Sequence, residues 1–179
     1  MRAEAQEAAR LLLNKLGLPY SFMPEIREAL IKSGKTSTTL ANFREGIDGL
    51  TKDVITINTD KKAVAIGVRN IRSAVKDGWI TQPNTILHEL SHKVHSQLYN
   101  EIVRTPRWRD ADATFRLDRN VIKQHVSKYG ATNNKEFHAE LISGILKGRK
   151  YPKQILDDSI LSKSDNKVAR KLYRMGLKK

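Results

Sequence analysis

The sequence of 179 residues has no cysteine, so neither disulfide bonds nor a cysteine-based zinc knuckle can hold the chain together. Aromatic residues make up only 6% of the chain, and no apolar run approaches the roughly 18 residues of a membrane helix. The first 18 residues favour an amphipathic helix over a signal peptide, because their only apolar run is the leucines at 11–13. We therefore expect no membrane span and a cytoplasmic, virion-packaged or specially delivered protein, in which histidine and carboxylate hold any metal.

Acidic residues are scarce in the second part of the chain. Residues 1–60 carry eight basic and eight acidic residues, whereas residues 61–179 carry 25 basic against 11 acidic and hold the whole net charge of +14. Residues 147–179 alone carry 11 basic against three acidic residues. A field of this sign attracts nucleic-acid phosphates, anionic membranes or acidic proteins, and the simpler interpretation is a well-solvated surface. The basic part makes nucleic acid a candidate partner.

The segment at 85–95 contains His88, Glu89 and His92 in the spacing His-Glu-x-x-His. On a helix the two histidines project from one face, so their imidazoles can bind one zinc ion, and Glu89 can take a proton from water on that metal. The opposite side of the helix is apolar and is predicted to be buried. It carries Ile86, Leu87, Leu90, Val94 and Leu98. The alternative is a surface helix with two unrelated histidines.

Two further histidines lack this signature. His95 shares the helix face of His88 but lies about 10 Å along the axis, too far for both to share one metal with His92. His125 has no partner signature and is predicted to be an ordinary histidine on a helix surface.

A third metal ligand is expected downstream, because zinc in a hydrolase needs three protein ligands and one open position. Glu136 and Glu140 share one face of a predicted helix, and Phe137, Leu141 and Ile145 can face the core beside it. If that face looks at the first helix, Glu136 reaches the metal and leaves the site with a charge of about +1, which favours hydroxide near neutral pH. The alternative is a solvated acidic helix face.

The two motifs together resemble the anthrax lethal-factor-like zinc metallopeptidases, in the gluzincin branch of the zincin fold. The resemblance extends over about residues 50–146 and is carried by the following positions: His88-Glu89-Leu90-Ser91-His92, then Tyr129-Gly130, then Asn133-x-x-Glu136-Phe137-x-Ala139-Glu140. It implies that His88, His92 and Glu136 bind zinc and that Glu89 is the general base. It also implies that Tyr129 donates its phenol to the oxyanion and that Glu140 orients a metal ligand.

The sequence departs from the family pattern at two positions. Ser91 stands where the family often has glycine, and His138 stands where it usually has an aromatic or other apolar residue. His138 can be a surface residue, a substrate contact or a tolerated change. Tyr129 can also be a packing residue, and Trp108, in the basic loop at 104–110, can stack on nucleic-acid bases or anchor that loop.

Local patterns predict one α+β domain, residues 1–179, with a small mixed or antiparallel sheet. It has an N-terminal part at 1–50 and a basic helical tail at 148–179. Predicted strands are 18–23, one within 36–43, and 53–58; residues 63–68 are a strand or the start of a helix. Turns or loops are expected at 46–49 and 129–132. Predicted helices are 1–18, 24–33, 69–77, 83–103, 112–128, 133–147 and 163–175.

The sequence therefore predicts a zincin-like metalloendopeptidase that uses Zn2+ to hydrolyse a protein or peptide. The alternative is a basic, virion-internal protein associated with nucleic acid, which retains the zincin fold without essential catalysis. A bacterial effector is a third possibility, by analogy with the family alone.

Overall fold

The computed structural model of the chain describes residues 2–31, 40–46, 50–103 and 118–179. These ranges contain eight α-helices and one three-stranded sheet, which is a mixed α+β composition. They form two compact units: one comprises the described residues up to Asp77 together with Pro83–Leu90, and the other comprises Gly78–Gln82 and the described residues from Ser91 onward. In the described ranges, every helix is too short or too polar to cross a membrane.

The first unit contains the sheet. Helix α1, Arg2–Arg10, continues into a π-helical turn, Leu11–Lys15, which agrees with the predicted first helix. Strand β3, Val54–Asn58, lies in the middle of the sheet, parallel to β1, Glu25–Ala29, and antiparallel to β2, Ala41–Arg44. Four of its five residues are buried, which explains why the β-branched run predicted at 53–58 forms the central strand.

Two predictions in this unit are wrong. The helix predicted at 24–33 is strand β1 over Glu25–Ala29, and the strand predicted at 18–23 is a short 3-10 turn, Tyr20–Phe22. Pairing with β3 decides the first case, because Ile26 lies opposite Ile55 and the Glu25 N–H donates to the Asp53 carbonyl. Local preference for helix yields here to contacts with distant residues. The strand predicted within 36–43 is β2, while residues 36–39 and the turn residues 47–49 lie outside the described ranges.

Helix α2, Lys61–Lys76, begins at Asp60, whose carboxylate accepts hydrogen bonds from the Lys62 and Ala63 N–H groups. This settles residues 63–68 as helix. Helix α3, Thr85–Val103, follows and carries both histidines of the first motif, as predicted. It begins in the first unit and continues in the second. All five apolar residues predicted for its inner face are buried.

The second unit is helical. Its helices are α4, Arg119–His125; α5, Asn134–Leu146; α6, Lys153–Asp157; α7, Ile160–Lys163; and α8, Lys167–Gly176. Every residue from Phe137 to Leu146 is buried, so α5 is surrounded by other parts of the chain. The predicted helices at 133–147 and 163–175 correspond to α5 and α8. The one at 112–128 corresponds to α4, with residues 112–117 outside the described ranges, as are the loop at 104–110 and Trp108.

Candidate metal centre

Helix α3 sets the positions of the first two predicted ligands. His88 and His92 are half-buried and follow one another by a single helical turn, so their relative placement is fixed by the helix itself. The side chain of Asn84 accepts the Leu87 N–H at 2.9 Å and thereby satisfies one backbone donor at the start of this helix. The sequence of α3 therefore presents two imidazoles on one face and an apolar face on the other.

The third predicted ligand comes from the first turn of α5. Asn133 caps this helix, as predicted, and its side-chain oxygen accepts the Glu136 N–H at 2.9 Å. The Glu136 side chain then reaches α3, where its Oε2 lies 3.3 Å from Nε2 of His92. The Glu136 side chain is 17% exposed and the His92 side chain is 19% exposed, so solvent reaches both. One capping hydrogen bond thus holds the backbone that presents the carboxylate.

His88, His92 and Glu136 form a group that could hold a metal ion, because one ligand atom from each lies within 4.8 Å of the other two. A tetrahedral zinc site with bonds of about 2.1 Å places neighbouring donor atoms about 3.4 Å apart. The contact between His92 and Glu136 already has that separation. Two imidazole nitrogens and one carboxylate oxygen are also a donor set that suits zinc. A plain ion pair between histidine and glutamate gives the same contact, so the distance does not by itself identify zinc.

The two predicted catalytic residues are not members of this three-residue group. Glu89 is half-buried and directly follows His88. Tyr129 is 38% exposed, in the predicted loop between α4 and α5. Its backbone N–H donates to the Trp79 carbonyl at 2.8 Å, and its own carbonyl accepts the Thr132 hydroxyl at 2.7 Å. The backbone of Tyr129 is therefore fixed while its ring stays accessible.

Glu140 is almost fully buried on α5, and one of its carboxylate oxygens accepts the Thr81 N–H at 2.6 Å. The Thr81 carbonyl in turn accepts a hydrogen bond from the Arg149 guanidinium at 3.2 Å. These bonds hold the segment Gly78–Gln82, whose first two carbonyls accept the N–H groups of Lys128 and Tyr129. Glu140 thus supports the backbone on which Tyr129 lies.

His138 is a buried residue, so its interpretation as a surface histidine is wrong. Its Nδ1 lies 2.9 Å from the Asn134 carbonyl, and its Nε2 accepts the Ile160 N–H at 2.9 Å. Because the carbonyl can only accept, Nδ1 carries the proton and the ring is neutral. Burial lowers the pKa of His138 to about 4, although the hydrogen bond to Asn134 opposes that change. The apolar residues Leu141, Ile142 and Ile145 share its helix face, a periodic signal that indicates burial.

His95 is buried as well and stacks on His138, with ring centroids 4.2 Å apart and an interplanar angle of 7°. Burial holds the pKa of His95 well below its ordinary value, and the neighbouring His138 and His92 act in the same direction. His95 thus packs α3 against α5, three residues beyond His92. No sequence pattern indicates this pair, because its members are 43 positions apart. His125, the remaining histidine, is half-buried in the last turn of α4.

The structure therefore brings the three predicted ligands together on two helices and adds a buried histidine pair beside them. No protein-family model, curated protein or solved structure matches the chain.

Proposed function

We propose that this chain is a zinc-dependent metallopeptidase with a zincin-like fold, in which His88, His92 and Glu136 bind the metal. The observation that carries the proposal is the convergence of these three side chains, whose ligand atoms lie within 4.8 Å of one another. Glu136 is 44 residues beyond His92, and the resemblance to the lethal-factor-like family had singled out the same three residues. The burial of the rest of α5, from Phe137 to Leu146, and the Asn133 cap support the placement of the carboxylate.

Three protein ligands would hold a zinc ion and leave it one coordination position for water, as a catalytic site requires. His92 and Glu136 are each between one sixth and one fifth exposed, so water can reach these two ligands. A zinc ion bound there supplies a Lewis acid for the scissile carbonyl and lowers the pKa of water.

Glu89 acts as the general base in this proposal. Its carboxylate accepts a proton from the attacking water and later returns that proton to the leaving amine, so that the peptide bond is replaced by a carboxylate and an amine. The half-buried position beside His88 suits this role, because part of the residue remains exposed to solvent.

Tyr129 donates its phenolic hydrogen to the oxygen that becomes negative as the carbonyl is attacked. Its exposed ring and fixed backbone support this role. Glu140 contributes by holding Thr81 and, through the segment Gly78–Gln82, the backbone of Tyr129. In this proposal Glu140 positions the oxyanion donor, in addition to any role in orienting a metal ligand that the family resemblance implies.

Metal content and cleavage test the proposal separately. Wild type, Glu136→Gln, Glu89→Gln and the control His125→Gln are dialysed against zinc, and the bound metal is measured by mass spectrometry. We expect about one zinc per chain in wild type, Glu89→Gln and His125→Gln, and a loss of at least tenfold in affinity for Glu136→Gln. Zinc binding by Glu136→Gln equal to that of His125→Gln would refute the metal site.

Cleavage is measured on a mixed peptide library by mass spectrometry, with a chelator control. We expect chelator-sensitive products from wild type and none from Glu89→Gln, which still binds zinc. If Glu89→Gln cleaves as fast as wild type, Glu89 is not the base. If zinc-loaded wild type yields no products from folded proteins or peptides, the site binds metal without peptidase activity.

A further inference from the structure

Two basic segments meet side by side at the C-terminal end of the chain. Tyr151 and Leu177 form a parallel β-bridge, in which the Tyr151 N–H donates to the Gly176 carbonyl at 2.7 Å and the Lys178 N–H donates to the Tyr151 carbonyl at 3.0 Å. The Lys150 ammonium adds a hydrogen bond to the Met175 carbonyl. The last residues of the chain are thereby fixed against the segment that follows α5.

The two bridged segments, 147–151 and 174–179, contain six basic residues and no acidic residue. All six are exposed: Lys147, Arg149, Lys150, Arg174, Lys178 and Lys179. Within the described part of the chain, Arg149 and Lys150 donate hydrogen bonds to the backbone carbonyls of Thr81 and Met175, which carry no full negative charge. The bridge therefore concentrates positive charge that the sequence distributes over two separate segments.

Helix α8 extends this positive surface. Its residues Ala169, Leu172 and Gly176 are buried, while Lys167, Arg170 and Arg174 are exposed. The exposed residues follow the spacing i, i+3, i+7, which places them on one side of the helix over about 10 Å. We call the six bridged bases together with Lys167 and Arg170 the basic ridge.

The side chains of the basic ridge indicate which anion it fits. Among the described residues, all the exposed large hydrophobic side chains lie at or before Tyr129, so residues 147–179 contribute none. An amphipathic segment that enters a membrane needs such side chains, and a groove for single strands needs aromatic rings on which bases stack. Exposed lysines and arginines on a fixed backbone, without either feature, suit the phosphates of a nucleic-acid duplex.

We propose that the basic ridge binds the phosphate backbone of double-stranded nucleic acid without sequence specificity. This binding is independent of the metal centre, because none of its residues belongs to the three-residue ligand group. A chain that has both properties can cleave a protein while attached to nucleic acid.

Fluorescence anisotropy with a labelled 20-base-pair DNA duplex, measured as a function of salt, tests the proposal. Eight neutralised phosphates predict a slope of log affinity against log salt of about −7, and removing two contacts reduces its magnitude by about 2. We therefore expect this reduction in Arg174→Ala/Lys178→Ala. The matched control is Lys61→Ala/Lys62→Ala, which removes two exposed lysines at the start of α2 and is expected to keep the slope near that of wild type.

A second variant, Lys167→Ala/Lys179→Ala, reports on the same surface if the first does not fold, and circular dichroism checks each variant. We expect a second duplex of unrelated sequence to bind with the same affinity, and His88→Ala to bind as wild type does. Equal weakening by the ridge variants and the α2 control would overturn the proposal, since only total charge would then matter. So would tighter binding to a single-stranded oligonucleotide, to polyglutamate or to phosphatidylserine vesicles than to the duplex.

Discussion

The buried histidine pair makes the metal-free protein sensitive to mild acid. His138 is neutral in the folded chain because Nδ1 donates to the Asn134 carbonyl while Nε2 accepts the Ile160 N–H. Protonation at Nε2 would place a second hydrogen where the Ile160 N–H now points, and would charge a ring that solvent does not reach. The unfolded chain has neither restriction, so it takes up a proton at a higher pH than the folded chain.

The size of the effect follows from the two pKa values. The pKa of His138 falls from 6.5 to about 4 on folding. The contribution of neutral His138 to the free energy of unfolding is fully present above pH 6.5 and is lost as the pH falls toward 4, because the unfolded state then binds a proton that the folded state does not. The full loss is about 3 kcal/mol, and about 2 kcal/mol of it occurs between pH 8 and pH 5. His95 acts in the same direction, because its pKa is also lowered.

Urea unfolding at pH 8, 6.5 and 5, with a chelator present, measures this contribution in wild type and in His138→Gln. Glutamine offers an oxygen to the Ile160 N–H but does not titrate. We expect the variant to be less stable than wild type at pH 8 by about 1–2 kcal/mol, since it loses the stacking on His95. We also expect wild type to lose about 2 kcal/mol more than the variant between pH 8 and pH 5. Parallel pH dependences for the two proteins would refute the reasoning.

Three further predictions concern the candidate metal site and the packing of α5. Asn133→Ala should lower the free energy of unfolding by about 1 kcal/mol and weaken zinc binding, because it releases the Glu136 N–H. The control is Asn166→Ala, which removes the cap of α8 and should destabilise the protein but leave its zinc affinity unchanged. Zinc at 100 times its dissociation constant should raise the free energy of unfolding of wild type by about 2.7 kcal/mol, and by much less in Glu136→Gln, as measured by chemical denaturation. Gly144→Ala should lower the free energy of unfolding by about 2–3 kcal/mol, because its new Cβ would meet the Tyr151 hydroxyl. If the double variant Gly144→Ala/Tyr151→Phe loses as much stability as the two single variants together, the contact with that hydroxyl is not the cause.

The residues of the candidate site could largely be predicted from the sequence, because short segments of the chain identify them. The spacing of His88 and His92 fixes their shared face on any helix, and Asn133 marks the start of α5 so that Glu136 lies in its first turn. What spacing could not provide is the approach of α5 to α3, since this depends on packing between residues far apart in sequence. The contact of His92 with Glu136 supplies that missing step.

The sheet shows the opposite case. Residues 25–29 carry no alternation of buried and exposed positions, since all five are exposed in β1. Their strand conformation depends on pairing with β3, which lies about 30 residues later in the chain. Patterns among neighbouring residues alone therefore favour a helix at 24–33. The central strand β3 could be predicted, because its own β-branched residues favour a buried strand.

The buried pair His95–His138 and the hydrogen bond between Glu140 and Thr81 could be predicted only in part. Periodicity along α5 indicates that His138 is enclosed, but it does not identify the partners of His138 or of Glu140. Those partners are Ile160, 22 residues later, and Thr81, 59 residues earlier. Hydrogen bonds to backbone N–H groups leave no side-chain signature in the sequence of the partner.

The enclosure of α5 bears on which metal ions we expect the proposed site to bind. Glu136 extends from a helix whose next ten residues are all buried, so it cannot shift without repacking much of the second unit. A carboxylate on such a rigid support cannot gather the six to eight oxygen ligands at 2.3–2.6 Å that calcium prefers. We therefore expect an ion bound by His88, His92 and Glu136 to be selected against larger, harder cations by the buried setting of α5 as well as by the donor atoms.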